Sequence, residues 1–393
     1  MPELSPGDSG RVVLALLLAC QAVAPAPPPK APFDAATFDA IVMQGVREGV
    51  FPGAALVIGR RDTVFFKKGY GHLTWSGTSP VVEADSTLYD LASLTKVVAT
   101  TTSLMILVDR GKVSLDAPVA TYVPEFHGTG TGAITVRHLL THTSGLRPTL
   151  PLHNATSDSA ALRMVFDATP VVPPGSRVVY SDLNAILLGE IVHRASGEPL
   201  DVFARREVFV PLDLQQTVFR PSGASLARVA PTGIWRGHPI GGVVNDQNAA
   251  RLGGVAGHAG LFSTGTDVAR FAQFILRGGR LPDGRTLVRA ETVRLFTTRA
   301  VGGKNPRLEA RALGWQAVPT GETVSSAGTR FGPRSFGHTG WTGTSIWIDP
   351  DRDLFVVLLT NRAFAPRASR SFTGLKQVRG RLADAAAEAS DAH

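Results

Sequence analysis

Ser93-Leu94-Thr95-Lys96-Val97-Val98-Ala99-Thr100-Thr101-Thr102-Ser103-Leu104-Met105-Ile106-Leu107-Val108-Asp109-Arg110 opens with a hydroxyl and closes with charge, and between Val97 and Val108 it is apolar or small nearly all round. It reads as a helix buried on every side, stopped by Gly111. Positions i and i+3 share a helix face, so the Ser93 hydroxyl and the Lys96 ammonium can touch. A serine hydroxyl is a weak nucleophile until a base takes its proton. Lysine serves as that base only if its pKa falls from about 10.4 towards 7, roughly 3 units or 4–5 kcal/mol, which burial can supply. A helix start also offers free N–H groups to the negative charge that develops in acyl transfer. With 24 serines and seven lysines in 393 residues, chance alone gives about 0.4 such pairs. The plain alternative is a capping serine followed by a solvated lysine, and the cost of a lone lysine in a buried helix weighs against it.

On either side of this helix the chain alternates between β and helical patterns. Phe38, Ile41, Val42 and Val46 make the apolar stripe of a first helix between Phe33 and Gly49. Residues 53–60 and 63–66 read as a hairpin turning at Arg60-Arg61-Asp62. A second hairpin joins Thr344-Ser345-Ile346-Trp347-Ile348 to Leu354-Phe355-Val356-Val357-Leu358-Leu359 through a turn rich in aspartate. Leu375, Val378, Leu382 and Ala385 space a closing helix. The region from about 115 to 275 mixes helical runs, such as 185–195 and 268–277, with loops rich in Pro and Gly, and reads as a mostly helical insertion. Strands at both ends with helices between them imply one sheet assembled from distant pieces: an α/β plus all-α architecture in which an antiparallel sheet is flanked by the N- and C-terminal helices.

Two further motifs stand in order behind Ser93-x-x-Lys96. Tyr180-Ser181-Asp182 follows the turn Pro173-Pro174-Gly175, and Gly337-His338-Thr339-Gly340-Trp341 precedes the second hairpin. The succession S-x-x-K, Y-S-(N/D), (K/H)-T-G resembles the serine β-lactamase and penicillin-binding superfamily, in its class C-like branch of D,D-peptidases and esterases. The resemblance spans residues 36–390, and the stretches 139–145 and 252–263 are similar to loops of that branch. It implies a β-lactamase/transpeptidase-like fold, Ser93 as the acylated nucleophile, and Lys96 and Tyr180 as its activators. It also implies an oxyanion hole from the backbone N–H groups of Ser93 and Trp341, and a substrate cleft bordered by Asp182, His338, Thr339 and Gly340. Either Lys96 or Tyr180 can carry the working base, because a phenol beside a lysine cation has its pKa lowered.

The chain departs from the β-lactamase pattern at two positions. Asp182 stands where class C β-lactamases have Asn, so an amide that can donate becomes a carboxylate that accepts only, and anionic substrates are disfavoured near it. His338 stands where most β-lactamases have Lys, and an ordinary imidazole is mostly neutral at pH 7.

Composition excludes other classes. At 44% hydrophobic and 18% charged residues the chain buries a sizeable core, and its formal charge of +8 is spread without a basic block or a nucleic-acid-reading motif. One cysteine excludes a disulfide framework, a cysteine-rich zinc site and a CxxC centre. His138 and His142 have zincin spacing without the glutamate. Asp349, Asp351 and Asp353 lack the glycine and terminal glutamate of a calcium loop. Gly7-Asp8-Ser9-Gly10 lies ahead of a signal core, and there is neither a Walker A loop nor a G-x-S-x-G elbow. No metal and no cofactor is expected.

Val12 to Ala19 is an apolar run too short to span a bilayer, and it follows Arg11 as a secretory signal core does. Leu17-Leu18-Ala19-Cys20 resembles a bacterial lipobox, so residues 1–19 read as a signal peptide, Cys20 as a candidate lipid-bearing residue and 20–35 as a Pro-rich tether. In the alternative, Cys20 is hydrophobic filler of an ordinary cleaved signal. The chain is thus expected to be an exported, periplasmic or cell-envelope serine hydrolase working through an acyl-enzyme, D,D-carboxypeptidase-like or penicillin-binding. Its partner would be a small molecule or a peptidoglycan peptide. A carboxylesterase or β-lactamase is the alternative within the fold, and a cell-wall binding protein without turnover is the alternative outside enzymology.

Overall fold

Gly53–Gly59 is buried at every residue, and its alternation explains how. Leu56 and Ile58 point into one apolar cluster, Ala55 and Val57 into another, so both faces of the strand are covered. Leu354–Thr360, its antiparallel neighbour, divides in the same way, with Val356 and Leu358 on one side and Phe355, Val357 and Leu359 on the other. These two strands, about 300 residues apart in sequence, form the middle of a six-stranded antiparallel sheet. Its order is Val64–Gly71, Gly53–Gly59, Leu354–Thr360, Ser345–Asp349, Phe336–Thr339, Gln316–Ala317. Both hairpins read from the sequence are present, with Val57 opposite Lys67 in one and Ile346 opposite Val357 in the other.

This computed structural model describes residues 35–302, 309–318, 325–364 and 372–392. Cys20, the signal segment and nearly all of the tether lie outside the described residues. Residues 33–393 form one unit by contact. The helices Ala35–Arg47 and Phe372–Ala392 pack together on one face of the sheet, where Phe38, Val42, Trp347, Leu375 and Leu382 meet. The helix Gly265–Leu276 covers the other face, and the buried helix after Ser93 joins the same apolar cluster. The expected architecture, an antiparallel sheet flanked by its terminal helices, is the one observed.

The buried helix differs from a regular one at its start. Leu94, Thr95 and Lys96 donate their N–H groups to carbonyls three residues back, and Lys96–Thr101 then winds as a π-helical turn before α-helix resumes at Thr102–Asp109. Asp349, Asp351 and Asp353 form a plain hairpin turn in which Asp349 accepts the Asp351 N–H and pairs with Arg352. A second, three-stranded sheet pairs Leu261–Ser263 with Tyr89–Asp90 and with Val218–Phe219, drawing the 252–263 stretch against the residues that precede Ser93.

Candidate active site

Ser93 stands on a platform made from three distant segments. Asp90, fully buried, accepts the Ala92 N–H at 2.8 Å and the Asn245 N–H at 2.7 Å, and burial pushes its carboxyl up to about 6. Thr342 Oγ1 donates to the Asp90 carbonyl at 2.7 Å and Thr344 Oγ1 to the Leu91 carbonyl at 2.9 Å. The loop after the strand carrying His338 and Thr339 is thereby sewn to the chain before Ser93. Gly340 is a glycine for a steric reason: a Cβ there would lie 2.2 Å from Thr344 Oγ1 and 2.5 Å from the Leu91 carbonyl oxygen. Among the described residues, the backbone N–H groups of Ser93 and Trp341 have no acceptor. The indole of Trp341 is 61% exposed and lies against Phe372, ring centroids 4.9 Å apart.

Lys96 is 3% exposed. Its ammonium donates to Ser93 Oγ at 2.9 Å, to Asp182 Oδ1 at 2.8 Å and to the His258 carbonyl at 3.2 Å. The two residues of the S-x-x-K pair therefore touch, but the charge state differs from the sequence expectation. Burial pulls the lysine down, as expected, yet the Asp182 charge and hydrogen bond, together with Tyr180, outweigh it and hold Lys96 above its ordinary value. Asp182, at the N-terminal turn of the helix Asp182–Ser196, thus faces the ammonium and is neutralised by it. Asp182, Asp246 and His258 bring one ligand atom each to within 4.8 Å of one another, and the Lys96 ammonium is the cation bonded there. His258 Nε2 meets Asp246 Oδ1 at 3.0 Å. Burial works against the Asp246 carboxylate, but the hydrogen bonds from His258 and from the Ala249 N–H hold it down to about 2.

Tyr180 occupies the centre of a ring of nitrogenous side chains. Lys96 Nζ lies 4.9 Å from its ring centroid and the Arg311 guanidinium carbon 5.1 Å, while the His142 and His338 rings lie 4.6 and 6.0 Å away. His142 carries a positive φ of 55° and accepts at Nδ1 from the Ser181 N–H and from Asn184 Nδ2, which holds the start of the Asp182–Ser196 helix in place. His138 instead caps its own helix through Thr135, so the two histidines at zincin spacing serve separate hydrogen bonds. His338 is buried, its Nδ1 bonded to the Thr339 carbonyl at 2.9 Å and its Nε2 without a partner among the described residues. Since a carbonyl only accepts, Nδ1 carries the proton and Nε2 is a bare lone pair. Burial, then Arg311 and Lys96, push both His142 and His338 well below the ordinary imidazole value, so both are neutral at pH 7.

Two of these residues stand outside every motif of the sequence, and a third was marked for another reason. Arg311 and Asp246 sit in no chemical motif, and His142 drew notice only for its spacing to His138. The stretch around His142 and that around His258 resembled family loops, which was the available signal. Arg311 had none.

The beta-lactamase family model matches residues 38–378. The chain belongs to that family. Among beta-lactamase-family relatives, a protein of Escherichia coli strain K12 named "Putative D-alanyl-D-alanine carboxypeptidase" is 33% identical over 354 residues, covering 81% of this chain and 80% of that one. A Salmonella typhimurium protein of the same name is 30% identical over 81% of each chain. Solved structures share the beta-lactamase fold. EstCE1, "a hydrolase with promiscuous acyltransferase activity", superposes with a TM-score of 0.71 at 22% identity, covering 89% of this chain and 98% of its own. A penicillin-binding protein homologue from Caulobacter crescentus gives 0.70 at 21% identity, covering 89% and 97%. The protein is a serine hydrolase of this family. No helix among its described residues is long and apolar enough to cross a membrane.

Proposed function

We propose that this serine hydrolase is an exported D,D-carboxypeptidase-like enzyme that acts through an acyl-enzyme on Ser93. The observation that carries the proposal is the buried Lys96 ammonium, bonded at once to Ser93 Oγ and to Asp182. Export, and a lipid tether through Cys20, rest on residues 1–20 alone. Asp182 keeps Lys96 charged, so Lys96 serves as a cation that steadies the serine oxygen as negative charge builds. The Ser93 proton passes through Tyr180, whose hydroxyl takes it while giving its own to the leaving nitrogen or oxygen. The Ser93 and Trp341 N–H groups receive the carbonyl oxygen of the substrate, and His338, Thr339 and Gly340 border it. Water then repeats the sequence in reverse roles to free the acyl group.

Relatives at 30–33% identity over four-fifths of the chain support a peptide ending in D-alanine as substrate. An uncharged His338 favours a second reading, a carboxylesterase acting on neutral esters. Intact-mass analysis after exposure to a fluorescent penicillin, with D-alanine release from a D-alanyl-D-alanine peptide measured beside hydrolysis of an activated short ester, separates them. A long-lived adduct with D-alanine release supports the peptidase. Rapid ester turnover with neither supports the esterase.

Tyr180→Phe removes one hydroxyl and little shape. Both acylation and deacylation are expected to slow by about 10²-fold or more, the range of proton-transfer assistance, read by single-turnover and steady-state rates. Unchanged rates exclude the relay.

Arg311 supplies the positive charge that His338 does not. It is buried, pairs with Glu309 and retains two guanidinium nitrogens without a partner among the described residues. A unit charge at about 8 Å and an effective dielectric of about 20 is worth about 2 kcal/mol. Arg311→Met is therefore expected to lower kcat/KM for an anionic penicillin or peptide about thirtyfold more than for an uncharged ester, a ratio in which general damage cancels. Equal losses for both substrates would show that Arg311 acts on the scaffold alone.

A further inference from the structure

Arg379 lies on the closing helix at the apolar spacing itself, four residues after Leu375 and three before Leu382, and is 6% exposed. Among the described residues it has no acidic partner and its Nε has no acceptor. Its Nη2 donates to the Thr344 carbonyl at 2.7 Å and makes a longer 3.5 Å contact with the Gly340 carbonyl. An unpaired guanidinium in a core is costly, and burial with the neighbouring Arg362 charge pulls Arg379 down to about 9. Leucine or methionine would fill this place at less cost. What the arginine does there shows in its two acceptors. Thr344 O also receives the Gly340 N–H at 2.7 Å, which closes the loop after the His338 strand. The Gly340 carbonyl is the other end of the peptide unit whose N–H belongs to Trp341. On the far side of the loop, Arg362 Nη2 donates to the Trp341 carbonyl at 2.8 Å.

We propose that Arg379 is a positioning residue for the oxyanion hole, acting through the Gly340–Trp341 peptide: it fixes the loop by Thr344 and polarises the amide whose N–H receives the oxyanion. A cationic donor at a carbonyl strengthens the N–H of the same peptide, because chains of hydrogen bonds polarise one another in a low dielectric. The charge itself lies behind the place where negative charge develops, where a preorganised cation costs no reorganisation during reaction. The inference rests on the proposed oxyanion hole of Ser93 and Trp341.

Arg379→Met tests it on the full chain, since exchanging an unpaired buried charge for an apolar side chain of similar length leaves a foldable core. Thermal unfolding is expected at the wild-type temperature or above. For a neutral activated ester kcat is expected to fall at least tenfold with KM within twofold. Affinity for a boronic acid that becomes a tetrahedral anion on Ser93 is expected to fall by the same factor, and Arg379→Lys to recover most of both. Unchanged kcat and boronate affinity in a folded Arg379→Met overturn the inference, as does a loss of activity that merely follows a loss of folded protein in both variants. The underlying reading fails separately: a Ser93→Ala variant that still forms the boronate adduct overturns the oxyanion hole itself, whatever Arg379 does.

Discussion

Ser93→Ala is expected to abolish covalent labelling by a fluorescent penicillin and by an activated ester, with the folded state retained. The substitution removes one oxygen at the mouth of the buried helix. Its only side-chain bond among the described residues is the one received from Lys96, which keeps Asp182 and the His258 carbonyl as acceptors. No buried donor is stranded, so the thermal transition should stay within a degree or two of wild type, the scale of a surface change of a few tenths of a kcal/mol. Turnover should drop to the level of the uncatalysed reaction plus whatever the oxyanion donors contribute without a nucleophile, a residue of activity usual for such sites. Intact-mass spectra decide the matter. An adduct at normal stoichiometry in the alanine variant would move the nucleophile elsewhere.

Lys96→Ala carries the second large effect. Loss of the ammonium leaves Ser93 Oγ without its cationic donor and Asp182 facing the nucleophile as an unpaired carboxylate, so the field at the serine reverses sign. Acylation is expected to slow by about 10²–10⁴-fold, the usual worth of proton-transfer and electrostatic assistance. Stability should fall as well, because the Asp182 carboxylate, 24% exposed at its side chain, loses its ion-pair partner. Adding Asp182→Asn to Lys96→Ala is expected to restore stability without restoring acylation, which separates the structural from the chemical role. Stopped-flow acylation and thermal unfolding read the two. A rate loss below about threefold in the single variant would leave Lys96 as scaffold only.

The places where the sequence could be read share a physical feature: their information is local. The hairpins at 53–71 and 345–360 follow from short apolar runs joined by polar turns, and the terminal helices from stripes at spacings of three and four. The contact of Ser93 with Lys96 follows from helical spacing alone, and held even though the helix opens with tight turns and a π-helical segment. The strand carrying His338 was not expected as a strand, because Phe336-Gly337-His338-Thr339 is short and carries little β pattern. Its pairing with Ser345–Asp349 makes it one.

Sequence by itself determined the contact of Ser93 with Lys96, the order of the three motifs and the two hairpins, since each depends on side-chain chemistry or on neighbours within a few residues, whereas the burial of His338 beside Arg311 and Lys96, which keeps its imidazole neutral, came from the fold. Tertiary structure decided the charge of Lys96, because Asp182 lies 86 residues away and a desolvated ion pair outweighs the burial that would otherwise have emptied the lysine. It also decided that Arg311 stands over Tyr180 and that Arg379 stands behind Trp341, where no motif marks them. Thr342 and Thr344 reach carbonyls some 250 residues back and tie the loop around Trp341 to the chain before Ser93. Electrostatic energy inside a protein depends on distance and on exclusion of water, and neither is defined for residues far apart in the chain until the fold has closed around them.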